Sequence, residues 1–263
     1  MKVAAKLSLI CVSLIAISLM LTGQSSAKID LKTIVGAWLF DEGTGDTARD
    51  SSGNGYDGKL VEGPEWVQGK FGKALKFDGQ ETRVDCGDVN ALDFGTGDFT
   101  LSVWVNAAAS GAGESGNGWS RILDKHYIGG FCLMRSGGGP KVQFEVNGNA
   151  ATTISATNAF DDSWHHIVAI RHDDNKSKIY LDGKLNIEGN LVGGNLQNDI
   201  AFRMGYDDPG FGGRMKCLMD EVAVFNVALT EDDIKQVMNG LGETLDVSTI
   251  NKSATACGYI KAD

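Results

Sequence analysis

Three of the chain's four histidines lie in one short stretch, DSWHHIVAIRHDD at 162–174, with aspartates on both sides. Imidazoles beside carboxylates are groups that ligate metals or exchange protons in active sites. In a strand, however, His165 and His166 point to opposite faces. His166 and His172 share a face but are too far apart to ligate one ion, at about 3.3 Å per residue. The stretch therefore predicts a structural strand with half-buried histidines.

A second candidate is the loop RDSSGNGYDG at 49–58, which offers oxygen atoms to a hard cation. Asp50, Ser52 and Asn54 alternate there, as in the first half of an EF-hand loop. Val61 stands at the twelfth position, where an EF-hand carries a bidentate glutamate, and no helices flank the loop. The pattern therefore predicts a calcium site of a different kind.

A calcium ion at this loop requires a further carboxylate, which the sheet can supply from Asp220 or Asp41. The alternative is a turn rich in Asp, Asn and Ser, held by hydrogen bonds from side chain to backbone. The spacing of the oxygen ligands favours calcium over this turn.

The catalytic motifs of common hydrolases are missing from the sequence. Glycoside hydrolases use two carboxylates, which an E-x-D-x-x-E string places on one strand face, and that string does not occur. Asp220 and Glu221 are adjacent, so a regular strand sends them to opposite faces. No G-x-S-x-G is present either. The sequence predicts a protein that is not an enzyme, with a degenerate glycoside hydrolase as a lesser alternative.

A ligand surface is expected on two glycine-rich loops, at 111–121 and 205–214, because loops on a rigid scaffold are where binding usually occurs. Aromatic faces stack on sugar rings, and acids hydrogen-bond hydroxyls or hold a cation. The predicted ligand-binding residues are Trp119, Tyr206, Asp207, Asp208 and Phe211. The alternative is a pair of flexible loops with locally packed aromatic side chains.

The elements that position these residues are short strands separated by turns of Gly, Asn and Asp. The clearest strands are at 34–40, 73–79, 82–87, 99–106 and 214–226. One helix follows them in LTEDDIKQVMNG, with Thr230 as its cap, Asp233 at the capping-box position and Gly240 at its end. The pattern predicts an all-β, two-sheet antiparallel sandwich or jelly roll with one short C-terminal helix.

The N-terminus has the features of a secretory signal peptide, residues 1–27, with a retained membrane anchor as the alternative. Lys2 and Lys6 precede an apolar run that ends in small residues, and no later stretch is long and apolar enough to span a bilayer. We therefore expect a secreted or extracytoplasmic protein with one domain at 28–242 and a flexible tail at 243–263.

The mature chain is strongly acidic. Loss of the two signal lysines changes the formal net charge from −10 to −12, which repels phosphate backbones and argues against a nucleic-acid partner. Cys86, Cys132, Cys217 and Cys257 remain after cleavage, without a C-x-x-C zinc spacing. The oxidising compartment favours one disulfide, between Cys217 and Cys132 or, with less support, Cys86.

Five stretches in register resemble the laminin-G-like, or concanavalin A-like, jelly roll domains. They are GAWLFDEGTGDTARDSSGNGYDGKL, WVQGKFGKALKFDG, DFTLSVWV, SWHHIVAI with SKIYLDGKL, and MDEVAVFNVALTEDDIKQV. The resemblance implies a two-sheet jelly roll, a closing helix packed at one end and, as in many members, a bound calcium ion.

Domains of this kind usually bind carbohydrate or protein, often as modules of larger secreted proteins. The resemblance therefore implies a secreted, non-catalytic binding module for carbohydrate or for a cell-surface or extracellular protein, with a structural calcium ion. The alternative is a structural or assembly protein of the cell envelope.

Overall fold

Antiparallel strands make up most of the computed structural model, which describes residues 29–111, 114, 118–126, 128–148, 151–207, 212–242 and 244–245. Besides strands, the described residues form two 3-10 turns, Leu31–Thr33 and Asn90–Leu92, and an α-helix, α1, at Glu231–Met238; residues 242, 244 and 245 are also helical. The strands form two sheets of eight, so the predicted all-β sandwich is confirmed.

The first sheet consists of β1 (Ile34–Trp38), β4 (Glu65–Gln68), β5 (Lys73–Asp78), β7 (Phe99–Asn106), β12 (Trp164–His172), β13 (Lys176–Leu181), β14 (Lys184–Asn190) and β16 (Lys216–Phe225). These strands lie in the order β14-β13-β12-β7-β16-β5-β4, and β1 also pairs with β16. The pairings of β7 with β12, of β16 with β7 and β5, and of β1 with β16 join strands far apart in sequence, so the sheet joins the two ends of the domain.

The second sheet consists of β2 (Thr47–Ala48), β3 (Gly58–Val61), β6 (Arg83–Asp85), β8 (Arg121–Lys125), β9 (Phe131–Arg135), β10 (Val142–Val146), β11 (Ala151–Ile154) and β15 (Arg203–Met204). These strands lie in the order β11-β10-β9-β8-β15-β6-β3-β2. Every pairing within the two sheets is antiparallel.

The main core lies between the two sheets and follows the alternation of each strand. Phe99 of the first sheet meets Phe131 and Phe144 of the second, with ring centroids 5.1 and 5.9 Å away. Residues that alternate with these positions point away from the core. Each sheet therefore also presents an outer face.

The helix begins where the sequence predicts. Thr230 Oγ1 accepts a hydrogen bond from the Asp233 backbone N–H at 3.2 Å, and Asp233 Oδ2 accepts one from the Thr230 N–H at 3.1 Å. This capping box satisfies two N–H groups that the first turn leaves free. Ile234 and Val237 then pack in a second hydrophobic cluster, with Val168 and Ile170 of the first sheet's outer face.

The packed part of the chain extends past the predicted domain end at residue 242. Leu245 is buried in the same cluster as Leu241, and its N–H donates to the Leu241 carbonyl at 2.9 Å. No helix among the residues that the structure describes is long and apolar enough to cross a membrane. The predicted signal peptide, 1–27, lies outside the described residues.

The predicted disulfide is not formed in this structure. Cys86, Cys132 and Cys217 are free thiols, and Cys257 lies outside the described residues. Cys217 faces the core from the first sheet, whereas Cys132 alternates with core residues Phe131 and Leu133 of the second. Sheets pack about 10 Å apart, and a disulfide needs Cα atoms within about 7 Å. Cys132 and Cys217 are therefore on incompatible faces.

Candidate functional site

The histidine-rich stretch forms strand β12, as its sequence predicts, and His165 and His172 are half-buried in it. His166 is buried, with Nε2 2.8 Å from Ser102 Oγ, and burial lowers its pKa to about 3. His165 lies between two carboxylates, 2.8 Å from Asp182 and 3.1 Å from Asp161. Partial burial opposes protonation of His165, but the hydrogen bonds to these carboxylates outweigh it and raise its pKa. Both histidines have local partners on the first sheet.

The Asp50 carboxylate is surrounded by backbone N–H groups. Its Oδ1 accepts from Ala37 and Ser52 at 3.0 and 2.9 Å, and its Oδ2 accepts from Tyr56 at 3.0 Å. The Asn54 side-chain amide donates to two carbonyls at the start of β1, at 2.9 and 3.0 Å. N–H donors repel a cation, so this arrangement fits the alternative turn and does not fit a calcium ion.

The other predicted calcium ligands hold a different loop. Asp41 Oδ1 accepts from the Lys73 N–H at 2.8 Å, and Asp220 Oδ2 accepts from the Phe71 N–H at 2.9 Å. Among the described residues, Asp41, Asp50 and Asp220 do not form a group with ligand atoms within 4.8 Å of one another. Calcium binding by these residues stays a prediction that a thermal measurement can check.

The alternation predicted for the two adjacent acids of β16 is interrupted. A β-bulge lies between Asp220 and Ala223, and Glu221 has φ of 50°. Glu221 Oε2 accepts from the Leu241 N–H at 2.7 Å, on the same outer side on which Asp220 holds Phe71. Both acids therefore bind backbone segments that cover the outer face of the first sheet.

The two predicted ligand loops meet beside the second sheet. The Arg121 N–H donates to the Gly213 carbonyl at 3.4 Å, and a Cβ on Gly213 would overlap the Trp119 carbonyl oxygen. Only glycine permits this close approach. Trp119 is 37% exposed and its indole lies over Gly137. The junction of the loops thus presents an indole to solvent.

Tyr206 is placed differently from Trp119. It is only 5% exposed, and the guanidinium carbons of Arg83 and Arg214 lie 4.7 and 5.3 Å from its ring centroid. Two guanidinium groups therefore lie over the buried Tyr206 ring, which leaves little room for a sugar to stack on it. Asp208 and Phe211 lie outside the described residues.

A buried group of charges lies below the junction, on the outer face of the second sheet. Arg121 Nε is 3.3 Å from Asp124 Oδ1, and its other nitrogen, Nη2, is 3.3 Å from Asp207 Oδ2. Asp124 and Asp207 are 0% and 2% exposed. Among the described residues, neither Asp124 oxygen has a hydrogen-bond partner. The loop residue Asp207 thus belongs to a buried ionic network and not to the exposed surface.

His126, Cys132 and Glu145 complete this polar cluster. Asp124, Cys132 and Glu145 are register partners across β8, β9 and β10, and His126 Nε2 is 2.6 Å from Glu145 Oε1. Ligand atoms of Asp124, His126 and Asp207 all lie within 4.8 Å of one another, as do those of His126, Cys132 and Glu145. The cluster therefore contains the side-chain types and the spacing of a metal site.

Burial dominates the electrostatics of this cluster. It raises the pKa of Asp124 to about 7, with a further rise from Asp207 and opposition from Arg121 and His126. Burial also raises the pKa of the Cys132 thiol. For Glu145, burial is the largest contribution and raises the pKa, but hydrogen bonds with His126 and Gln143 and the charges of His126 and Arg121 together lower it. The cluster can hold a proton or a cation, because its carboxylates outnumber its guanidinium.

Sequence reasoning missed three of these residues, Asp124, His126 and Glu145, and it named Cys132 only as a disulfide partner. The available signal was a polar residue at alternate positions of strands that are otherwise apolar, as in RILDKH and VQFEV. Such a pattern marks an outer face but does not say which strands lie side by side. The register of β8, β9 and β10 was needed to bring these residues together.

Comparison with known families gives one match. The profile of the concanavalin A-like lectin/glucanases superfamily matches residues 78–235. No curated protein matches the chain.

Several solved structures share the fold. The binding domain of Paraclostridial Mosquitocidal Protein 1 superposes with a TM-score of 0.64 at 14% identity, over 80% of this chain and 52% of that chain. Domain 4 of a GH43 extracellular arabinanase from Geobacillus stearothermophilus, in complex with arabinotriose, has a TM-score of 0.56 at 17% identity, over 78% of this chain and 98% of that one. A Trypanosoma rangeli sialidase has a TM-score of 0.61 at 18% identity, over 81% and 33%.

These similarities concern the fold alone, because the identities are low. The chain matches about half the length of the toxin binding domain and a third of the sialidase. It matches nearly the whole of the arabinanase domain.

Proposed function

The chain belongs to the concanavalin A-like lectin/glucanases superfamily, and from this membership we propose that it is a secreted, non-catalytic module that binds a glycan. The proposed binding surface is the junction of the loops at 111–121 and 205–214. Its central residue is Trp119, whose indole stacks on a sugar ring.

The exposure of Trp119 is the observation that carries this proposal. Large aromatic side chains are usually well buried, yet this indole is 37% exposed at a point where two loops converge. Its support is rigid, because Arg121 begins a strand and donates to Gly213 on the opposite loop. A preorganised aromatic face binds with little loss of conformational entropy.

The solved structures support a binding role by analogy. The arabinanase domain was solved in complex with arabinotriose, and the toxin structure is a binding domain. The acidic surface of this chain suits a neutral ligand such as an uncharged oligosaccharide. Secretion follows from the predicted signal peptide.

The burial of the acids supports a role without catalysis. A general acid must reach the glycosidic oxygen, but Asp124 and Asp207 are 0% and 2% exposed and both contact Arg121. On the first sheet, Asp220 accepts a hydrogen bond from the Phe71 N–H, and Glu221 accepts one from the Leu241 N–H. These carboxylates are committed to structural contacts.

A glycan array with the purified chain tests the proposal. We expect the wild type to bind a set of neutral oligosaccharides and Trp119→Ala to bind them at least tenfold more weakly, about 1.4 kcal/mol. Leu185→Ala is the matched control, because Leu185 is 45% exposed on the first sheet, and it should bind as the wild type does. Running the array with and without a chelator shows whether a metal ion contributes.

Two results would overturn the proposal. Absence of binding to every glycan would favour a protein ligand, as in the envelope-assembly alternative. Unchanged binding by Trp119→Ala would show that the sugar binds elsewhere on the molecule.

A further inference from the structure

We propose that a divalent transition-metal ion, for which Zn²⁺ is the probe, binds on the outer face of the second sheet with Asp124, His126 and Asp207 as ligands. This site is separate from the loop at Asp50 and from the exposed indole of Trp119. It goes beyond the proposed glycan binding and does not depend on it.

The geometry places three ligating side chains around one point. Atoms of Asp124, His126 and Asp207 lie within 4.8 Å of one another. Zinc binds nitrogen and oxygen at about 2.0–2.2 Å, so its tetrahedral ligands are about 3.4 Å apart. Small side-chain rotations would bring the ligand atoms from their present separations to this distance. Asp124 is on β8 and His126 follows that strand directly, so two of the three ligands sit on a rigid element.

The charge of the cluster calls for a divalent cation. Three buried carboxylates, Asp124, Asp207 and Glu145, surround one guanidinium, Arg121. The carboxylates thus outnumber the guanidinium by two in a region screened from water. Buried charge without compensation destabilises a folded protein strongly. One divalent ion removes the excess.

The state of Asp124 is a second, independent observation. Its carboxylate is fully buried, and the neighbouring His126 backbone N–H gives it no well-aligned hydrogen bond. Arg121 is close to Oδ1, at 3.3 Å, but not in hydrogen-bond geometry. Buried carboxylates are nearly always hydrogen-bonded or metal-bound. A metal ion supplies the partner that the protein does not.

The types of ligand select the class of metal. An imidazole with two carboxylates suits zinc and related first-row ions, whereas calcium takes six to eight oxygen ligands. Glu145 Oε1 lies 2.6 Å from His126 Nε2, so a carboxylate fixes the imidazole within the cluster. His126 has a side chain that is 15% exposed, which gives the ion a path from solvent.

Calorimetric titration of the full chain with Zn²⁺, after treatment with a chelator and dialysis, tests the inference. We expect one Zn²⁺ per chain, confirmed by metal analysis of the protein after gel filtration. His126→Gln and Asp207→Asn, which preserve side-chain size, should each weaken binding at least tenfold. His165→Gln is the matched control, since His165 also contacts two carboxylates but lies on the other sheet.

Co²⁺ provides a readout that a purely structural role would not change. Its visible absorption reports the coordination geometry, so binding to the wild type should give a spectrum that His126→Gln lacks. Circular dichroism must first show that each variant is folded. If His126→Gln does not fold, Asp207→Asn carries the test, because Asp207 lies on a loop.

The inference fails if the wild type binds no Zn²⁺ stoichiometrically, which would leave an ionic network neutralised by protons. It also fails if His126→Gln and Asp207→Asn bind as the wild type does, or if only His165→Gln loses binding. None of these outcomes bears on the glycan array, where the variant examined is Trp119→Ala.

Discussion

At the level of single residues, burial shifts the pKa values of two adjacent acids in β16. Glu221 sits on a bulge of β16, where its carboxylate accepts the Leu241 N–H. Burial raises its pKa to about 7, the hydrogen bond with Leu241 opposes this rise, and the negative charge of Asp41 adds to it. Asp220, the neighbouring acid, has a pKa raised to about 7 by burial as well.

The raised pKa of Glu221 predicts a loss of stability as the pH increases. The folded state keeps the proton up to about pH 7, whereas the unfolded chain releases it near the ordinary value of 4.5. Unfolding is therefore favoured progressively between these values, and the loss is complete above pH 7. Glu221→Gln keeps an acceptor for Leu241 but cannot ionise.

Melting temperatures between about pH 5 and pH 8 check this prediction. We expect the difference between Glu221→Gln and the wild type to move in favour of the variant as the pH rises. Glu65→Gln is the control, because the Glu65 side chain is 67% exposed, and its difference should stay nearly constant. A difference for Glu221→Gln that did not change with pH would contradict the prediction.

At the scale of elements, the loops are held by side chains that bind backbone groups. Asp50 ties the loop after β2 to β1 through the Ala37 N–H and closes its own turn through Ser52 and Tyr56. Residues with calcium-like spacing thus hold this turn through hydrogen bonds to backbone groups. The same oxygens satisfy the turn.

Substitution at Asp50 distinguishes the turn from a calcium site. We expect Asp50→Ala to lower the free energy of unfolding by roughly 1–3 kcal/mol, because buried N–H groups lose their acceptor. If Asp50 only holds the turn, this loss of stability is equal in the presence of calcium and of a chelator. Asp46→Ala is the control, an exposed aspartate that precedes β2.

If the loop binds calcium, as the sequence predicts, the melting temperatures with calcium and with a chelator should differ. In that case, the chelator lowers the melting temperature of the wild type and leaves that of Asp50→Ala unchanged. Observation of that pattern would establish calcium as a ligand of the loop.

At the scale of the whole molecule, two sheets of eight strands enclose one main core without a bridge between the described cysteines. Cys132 and Cys217 are 0% and 5% exposed and lie in different layers. Burial raises the pKa of Cys86 and Cys217, as it does that of Cys132. Cys132 and Cys217 are therefore both inaccessible and un-ionised in the folded state, whereas Cys86 is partly exposed but also un-ionised.

Alkylation of the purified chain without a reductant checks this description. We expect Cys86, Cys132 and Cys217 to resist iodoacetamide in the native state and to react fully after denaturation, because the thiolate is the nucleophile. Peptide mapping by mass spectrometry measures each site. A peptide that joins Cys132 to Cys217 or to Cys86 would restore the disulfide that the sequence predicts.

The fold class, the family and the local elements could all be predicted from the amino-acid sequence. Alternating strands, the capping box at Thr230 and the histidine-rich strand follow from periodicity and turn chemistry, which act between near neighbours. The motifs of the laminin-G-like resemblance correctly indicated the superfamily. The sequence also singled out the two loops that converge at Trp119 and Gly213.

The contacts between polar side chains of distant segments became known only from the three-dimensional structure. Asp124 and Glu145 are joined through the register of three strands, and Asp207 is brought to them by a loop 83 residues further along the chain from Asp124. Periodicity shows that each side chain leaves the core but not what lies beside it. Strand pairing between distant segments sets those contacts, so the buried cluster could not be read from local pattern.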